Sequence, residues 1–186
     1  GTLADKILLP LRAAVSAALL APLWVWTLMM DAPLAEYYAG NAFAALLGPA
    51  WTLDYDASTR TLRLSGEYQH GVANAFSAKL NELPEVALIE LEGPGGLSHE
   101  GFSIAEAIET RDLVTRATDD CESACTIAFM AGRERTLATE ARLGFHSGWS
   151  PIALYDDDDA DYSAHLRRRG VATDFVRRAD DVPAAD

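Results

Sequence analysis

The run Val86-Ala87-Leu88-Ile89-Glu90-Leu91 is short and aliphatic, and after Glu92 it meets Gly93-Pro94-Gly95-Gly96. An apolar run of this length, closed by turn-forming residues, is the mark of a strand covered on both faces and therefore of a parallel sheet with helices above and below. Its neighbours agree. Leu62 and Leu64 alternate with Thr61, Arg63 and Ser65, which predicts a half-buried strand ending at Gly66. Val72, Phe76, Leu80 and Leu83 share one helical face, and Pro84 closes that element. A helix is expected from about Gly101 to Arg111, carrying Phe102, Ile104, Ala105 and Ile108, followed by a strand over Leu113 to Ala117. Another helix begins near Ser123, carries Ile127, Phe129 and Met130, and ends at Gly132; Thr136 to Ala138 and Leu143 to Phe145 are short strands. Strands alternating with helices predict an α/β domain with a largely parallel sheet and right-handed crossovers.

The N-terminal part has a different character. Ala13 to Met30 contains no charged residue, and only Ser16 and Thr27 are polar. Extended back through Ile7, this stretch is long enough for a membrane helix, with Trp24 and Trp26 near its far end suited to the interfacial belt. Lys6 and Arg12 precede the run, whereas Asp31 and Glu36 follow it, so the positive-inside rule puts the N-terminus in the cytoplasm. The expected organisation is an anchor over residues 1–30, a connector over 31–58 and the α/β domain over 59–186. Residues 7–30 are then the membrane contact. Within the connector, Trp51, Leu53 and Tyr55 alternate with polar residues, as in a strand entering the domain. A net charge of −13, with 28 acidic side chains against 15 basic ones, repels polyphosphate and argues against a nucleic-acid partner.

Three places could carry chemistry. The Gly93-Pro94-Gly95-Gly96 turn permits positive φ and close backbone approach, so it can aim amide hydrogens at a ligand. It matches neither the dinucleotide fingerprint nor a Walker loop, and a plain tight turn is the simpler reading. Cys121-Glu122-Ser123-Ala124-Cys125 opens an apolar helix. A serine there is ordinarily a cap, yet the amide that follows it lies near the positive end of the helix dipole, where it can stabilise an oxyanion. Leu143-Gly144-Phe145-His146 delivers a histidine between glycines, with Ser147-Gly148 after it; His70, His99 and His165 have no such setting and read as ordinary structural or surface residues. Cys121 and Cys125 either bridge in an oxidising compartment or remain two small buried thiols, and no ligand set for zinc surrounds them. The run Asp156 to Asp161 lacks the spacing and glycine of a calcium loop and reads as a solvated acidic loop, with Arg167 to Arg169 and Arg177-Arg178 pairing with it or facing water.

Taken in order, strand, Gly-Pro-Gly-Gly, helix, strand, Cys-Glu-Ser-Ala-Cys, helix, strand and Gly-Phe-His resemble the Clp protease proteolytic subunit, of the Clp protease and crotonase superfamily with its repeated ββα core, and especially the periplasmic Clp-protease-like proteins of bacteria. The match spans about Arg60 to Ser150. The resemblance implies Ser123 as nucleophile and His146 as its base, with the Gly95 and Ala124 amides as oxyanion donors. Relatives bind substrate as an added strand, which implies a groove at Gly96, Leu97 and Ser98. The triad acid is expected late in the chain; Asp186 is the first candidate by position, ahead of Asp180 and Asp181, and without such an acid the site works as a dyad. A bridge between Cys121 and Cys125 would stiffen the nucleophile turn, an arrangement that cytosolic Clp proteases do not use.

The expected function is therefore a membrane-anchored extracytoplasmic serine endopeptidase in a bacterial inner membrane, single-pass, with its domain in the periplasm. It needs no cofactor and no metal, and it acts on a peptide or protein substrate. A homo-oligomer or a membrane-complex partner is in keeping with the resemblance. The alternative is an accessory subunit that keeps a peptidase-like fold for binding alone.

Overall fold

Trp51–Asp56 (β1) and Thr61–Tyr68 (β2) form an antiparallel hairpin that sets Leu53 against Leu64 and Tyr55 against Leu62. Its turn is an Asx-type device: Asp56 Oδ1 accepts from the Ser58 amide at 2.8 Å and from the Ser58 hydroxyl at 2.6 Å. The structure is a computed structural model that describes residues 48–147 and 157–183. Residues 7–30, most of the connector and Asp186 lie outside the described residues. Among the described residues no helix is long and apolar enough to cross a membrane. The domain unit begins at Gly48, so β1, read from the sequence as the end of a connector, is its first strand.

From β2 onward the pairing is parallel. Leu88–Gly96 (β3) lies beside β2, and Val114–Glu122 (β4) lies beside β3. The far side of β4 is shared by Arg135–Leu137 (β5), against Thr115 to Ala117, and Leu143–Gly144 (β6), against Cys121 and Glu122. The sheet order is β1-β2-β3-β4-β5, with β6 also on β4. The described helices are Val72–Glu82 (α1), Ser98–Thr110 (α2), Ala124–Met130 (α3), Asp157–Arg168 (α4) and Thr173–Asp180 (α5).

The apolar pattern explains the packing. Helix α1 buries Val72, Phe76 and Leu80, the face its spacing predicts, while α2 buries Ile104 and Ile108. Leu62, Leu64, Ile89 and Leu91 are fully covered between helices and sheet. Each such side chain contributes about 1.5–3 kcal/mol relative to exposure. Every residue of the short helix α3 is buried, so it occupies the middle of the domain.

Four elements differ from the expectation. Strand β3 does not stop before the Gly-Pro-Gly-Gly turn: it continues to Gly96, with Gly95 opposite Glu67 and Gly96 opposite Tyr68. Two register shifts accommodate this, one near Gly66 and one near Gly93. At Gly93 a Cβ would sit 2.1 Å from the Gly66 carbonyl oxygen, so the two strands come too close there for any side chain. Strand β4 likewise runs past Ala117 to Glu122, because its polar residues find partners: Thr118 donates to Glu92 at 2.7 Å and Arg142 forks onto Asp120 at 2.8 and 2.7 Å. The acidic run opens helix α4 instead of forming a loop, consistent with acidic residues favouring the positive end of a helix. Arg169 is turned inward. Its guanidinium donates to the carbonyls of Met130, Ala131 and Gly132, closing the C-terminal end of α3.

Candidate active site

Gly93, Cys121 and Leu143 lie side by side across β3, β4 and β6. Three segments far apart in sequence thus end together at the carboxyl edge of parallel strands, the place where open α/β sheets bind ligands.

At the end of β4 the chain turns abruptly into α3. Ser123 is the pivot, with φ 51° and ψ −123°, a conformation that a residue with a Cβ rarely adopts. Such strain costs of order 1–3 kcal/mol and persists only where the surroundings enforce it. Here they do. The Ser123 amide donates to the Gly144 carbonyl at 2.9 Å, while its own carbonyl accepts from the Thr126 amide at 2.8 Å and the Thr126 hydroxyl at 2.7 Å. Cys121 and Cys125 form a disulfide across the turn, with Cα atoms 5.3 Å apart and both residues fully buried. Their spacing left two readings open, and the fold brings them together.

Thr126 is itself held. Its hydroxyl lies 2.7 Å from the Tyr162 hydroxyl of α4, and since the single Thr126 proton goes to Ser123, Tyr162 is the donor of that pair. Burial pushes the Tyr162 phenol up to about 12, which keeps that proton in place. The relay has a direct consequence for the peptide between Ser123 and Ala124. In a trans peptide the N–H points opposite to the C=O, so anchoring the Ser123 carbonyl toward Thr126 turns the Ala124 amide away from it.

Gly95 lies directly against this turn. A Cβ there would be 2.5 Å from the Glu122 carbonyl oxygen, 2.6 Å from Ser123 Cβ and 2.9 Å from the Ala124 nitrogen, and its φ is +90°. Only glycine fits. Helix α2 approaches as tightly, since a Cβ on Gly101 would be 2.7 Å from the Ala124 carbonyl oxygen.

His146 follows β6 and is half-buried, as is Ser123. Its Nδ1 lies 2.5 Å from the Ser147 carbonyl, which can only accept, so Nδ1 carries a proton and Nε2 is the nitrogen left to accept one. That is the tautomer a general base requires. Ser147 is anchored in turn, its amide and hydroxyl both donating to the Val182 carbonyl at 2.8 and 3.0 Å.

The remaining predicted residues fall as follows. Asp180 accepts from the Ser163 hydroxyl at 2.8 and 3.0 Å, Asp181 is exposed, and Asp186 lies outside the described residues. Gly96 is exposed at the end of β3, and Ser98 opens α2. Leu97 spends its amide on the Tyr68 carbonyl at 2.8 Å, and its carbonyl accepts from Glu100 and Gly101. The chain thus passes from Gly96 straight into α2, with the main-chain amide and carbonyl of Leu97 both engaged within the fold. Thr126 and Tyr162 escaped sequence reasoning: a Thr in the first turn of a helix is a weak signal, and Tyr162 is remote in the chain.

No protein-family model and no curated protein matches the chain. Solved structures do. ClpP1 from Listeria monocytogenes superposes with a TM-score of 0.60 at 17% identity, covering 68% of this chain and 82% of that one. A point mutant of the same protein gives 0.57 at 17% identity, with 68% and 81% covered. Identity at this level speaks to architecture only, and by architecture the domain has the Clp protease/crotonase-like fold.

Proposed function

We propose that this domain is a serine peptidase-type hydrolase, with Ser123 as nucleophile, His146 as general base and the amides of Gly95 and Ala124 as oxyanion donors. The observation that carries the reading is the strained Ser123 turn pressed against Gly95 and hydrogen-bonded to the strand that leads to His146. The Ser123 hydroxyl attacks a peptide carbonyl while His146 Nε2 takes its proton, giving a tetrahedral oxyanion in front of the two amides. Collapse of that intermediate breaks the C–N bond as the imidazolium returns the proton to the leaving amine, and water repeats the sequence on the acyl-enzyme. Each oxyanion donor is worth about 2.7–4 kcal/mol in comparable sites. The Ser147 carbonyl orients the imidazole in the place that a carboxylate fills in a triad, so the described residues support a dyad.

The substrate is a peptide or protein segment, and the setting is extracytoplasmic, with residues 7–30 as a single membrane anchor, a cytoplasmic N-terminus and the domain in the periplasm of a bacterial inner membrane. The buried Cys121–Cys125 bridge supports that setting, because disulfides persist in oxidising compartments. Self-association, as in the Clp relatives, belongs to the same reading. The test is labelling by a fluorophosphonate: wild-type protein is expected to react and Ser123→Ala to stay unlabelled while keeping its fold by circular dichroism. A wild-type protein that stays unlabelled sinks the hydrolase reading.

One observation favours a second reading, an accessory subunit that binds without cleaving: Asp180, an acid well placed in sequence, is committed to Ser163. A Ser123→Ala chain that sustains full function in its host, within a complex that copurifies, would select it.

A further inference from the structure

His70, His99 and Glu100 converge on one point of the surface, each offering a ligand atom within 4.8 Å of the others. The fold makes the meeting. His70 comes two residues after the end of β2, His99 comes three residues after the end of β3, and these strands are paired at their ends through Tyr68 and Gly96. The two imidazoles lie with ring centres 5.4 Å apart, and His99 Nε2 is 3.6 Å from Glu100 Oε1.

We propose that these three residues form a binding site for a divalent transition cation of the zinc class. Two imidazoles and one carboxylate form a borderline-soft donor set, which suits zinc and its neighbours and does not suit calcium or magnesium. Bonds of about 2.0–2.1 Å in a tetrahedral shell put ligand atoms about 3.3 Å apart. The His99–Glu100 pair is already near that value, and the exposed His99 side chain is free to rotate inward for the rest. Three protein ligands leave the fourth position to water or another small ligand.

The support around the carboxylate is a second, separate observation. Glu100 is buried, and its two oxygens accept from the Gly71 and Ala73 amides at 2.8 Å each, at the start of α1. Each oxygen keeps a further lone pair after that bond, so the group is held in place and still able to ligate. The bland role of Glu100, closing the start of α1, accounts for those two bonds. It does not account for two histidines from different elements meeting beside them. The proposal does not rest on the hydrolase reading.

The test is calorimetric titration of zinc chloride into full-length protein without a histidine tag, after dialysis against a chelator. One zinc per chain is expected at micromolar affinity or better, weakened at least tenfold by His99→Ala and by His70→Ala. Cobalt should give the visible bands of a four-coordinate ion in wild-type protein and lose them in both variants. His99, with a side chain 61% exposed, can be replaced without disturbing the core, so that variant is decisive if His70→Ala folds poorly. Absence of a saturable site in wild-type protein, or an affinity unchanged by His99→Ala, overturns the proposal.

Discussion

The amide of Ser123 donates to the carbonyl of Gly144 at 2.9 Å, joining the end of β4 to β6 two residues before His146. The backbone turn of Ser123 is therefore tied to the segment that leads to His146, and what perturbs that tie should perturb both residues.

Two glycines at this place should respond unequally to alanine. At Gly95 a methyl meets backbone atoms and Ser123 Cβ at 2.5–2.9 Å, and the residue has φ +90°. Gly95→Ala is expected to cost about 3 kcal/mol or more and to abolish fluorophosphonate labelling. At Gly144 the nearest atoms the methyl meets all belong to the exposed side chain of Glu122, and the two nearest movable ones, Cγ at 2.7 Å and Cδ at 3.2 Å, can give way by a change of rotamer. Gly144→Ala should cost less than about 1 kcal/mol. Urea unfolding of the two variants decides the matter.

The hydroxyl relay behind the serine predicts a graded pair. Thr126→Val removes one of the two donors to the Ser123 carbonyl and leaves Tyr162 facing a methyl group, at a cost of about 1–3 kcal/mol. With the Ser123 carbonyl then held by the Thr126 amide alone, the labelling rate should fall severalfold. Tyr162→Phe removes only the outer donor and should cost about 1 kcal/mol, with a smaller effect on labelling. Equal labelling rates in both variants and wild type would show that the relay does not aim the Ala124 amide.

The Cys121–Cys125 bridge closes a very short ring, so the chain-entropy account assigns it only about 2 kcal/mol. The double replacement by alanine should lower the melting temperature by several degrees and leave a folded domain. Both cysteines are fully buried, so a water-soluble reductant should open the bridge in native protein far more slowly than in urea. Mass spectrometry after alkylation measures both rates.

His165 predicts a pH effect of definite sign. It is buried, its Nε2–H donates to the Ile127 carbonyl at 3.0 Å, and burial holds its pKa below the ordinary histidine value. Above about pH 6.5 neither the folded nor the unfolded chain protonates it, and its contribution is constant. As pH falls through that value the unfolded chain takes up a proton that the folded chain refuses. Stability then declines, by up to about 1.4 kcal/mol per pH unit, until the lowered folded pKa is passed. In His165→Gln, urea midpoints between pH 7 and 5 should slope less steeply than in wild type.

The sheet and its helices were legible because they carry regular signals: Leu62 and Leu64 alternate, Leu88, Ile89 and Leu91 are aliphatic, and Val72, Phe76 and Leu80 recur at helical spacing. Where strands continued through residues without such a signal, reading stopped too soon. Gly93 to Gly96 stays in the ladder because the strands approach too closely for side chains, and Thr118 to Asp120 stays because Glu92 and Arg142 satisfy it from neighbouring segments. The same limit applied around the site. Ser123, His146, Gly95 and Ala124 were singled out as candidates from local motifs taken together with a family resemblance, whereas the bonds of Leu97, the hold of Tyr162 and the meeting of His70, His99 and Glu100 depend on contacts between distant segments.

The imidazole loop is suspended between two supports, the Gly144 carbonyl on one side and the Val182 carbonyl on the other. The second support sits just beyond α5, 35 residues downstream of Ser147. Shortening the chain ahead of Val182 would therefore remove the hold on Ser147 while leaving the bond between Ser123 and Gly144 in place.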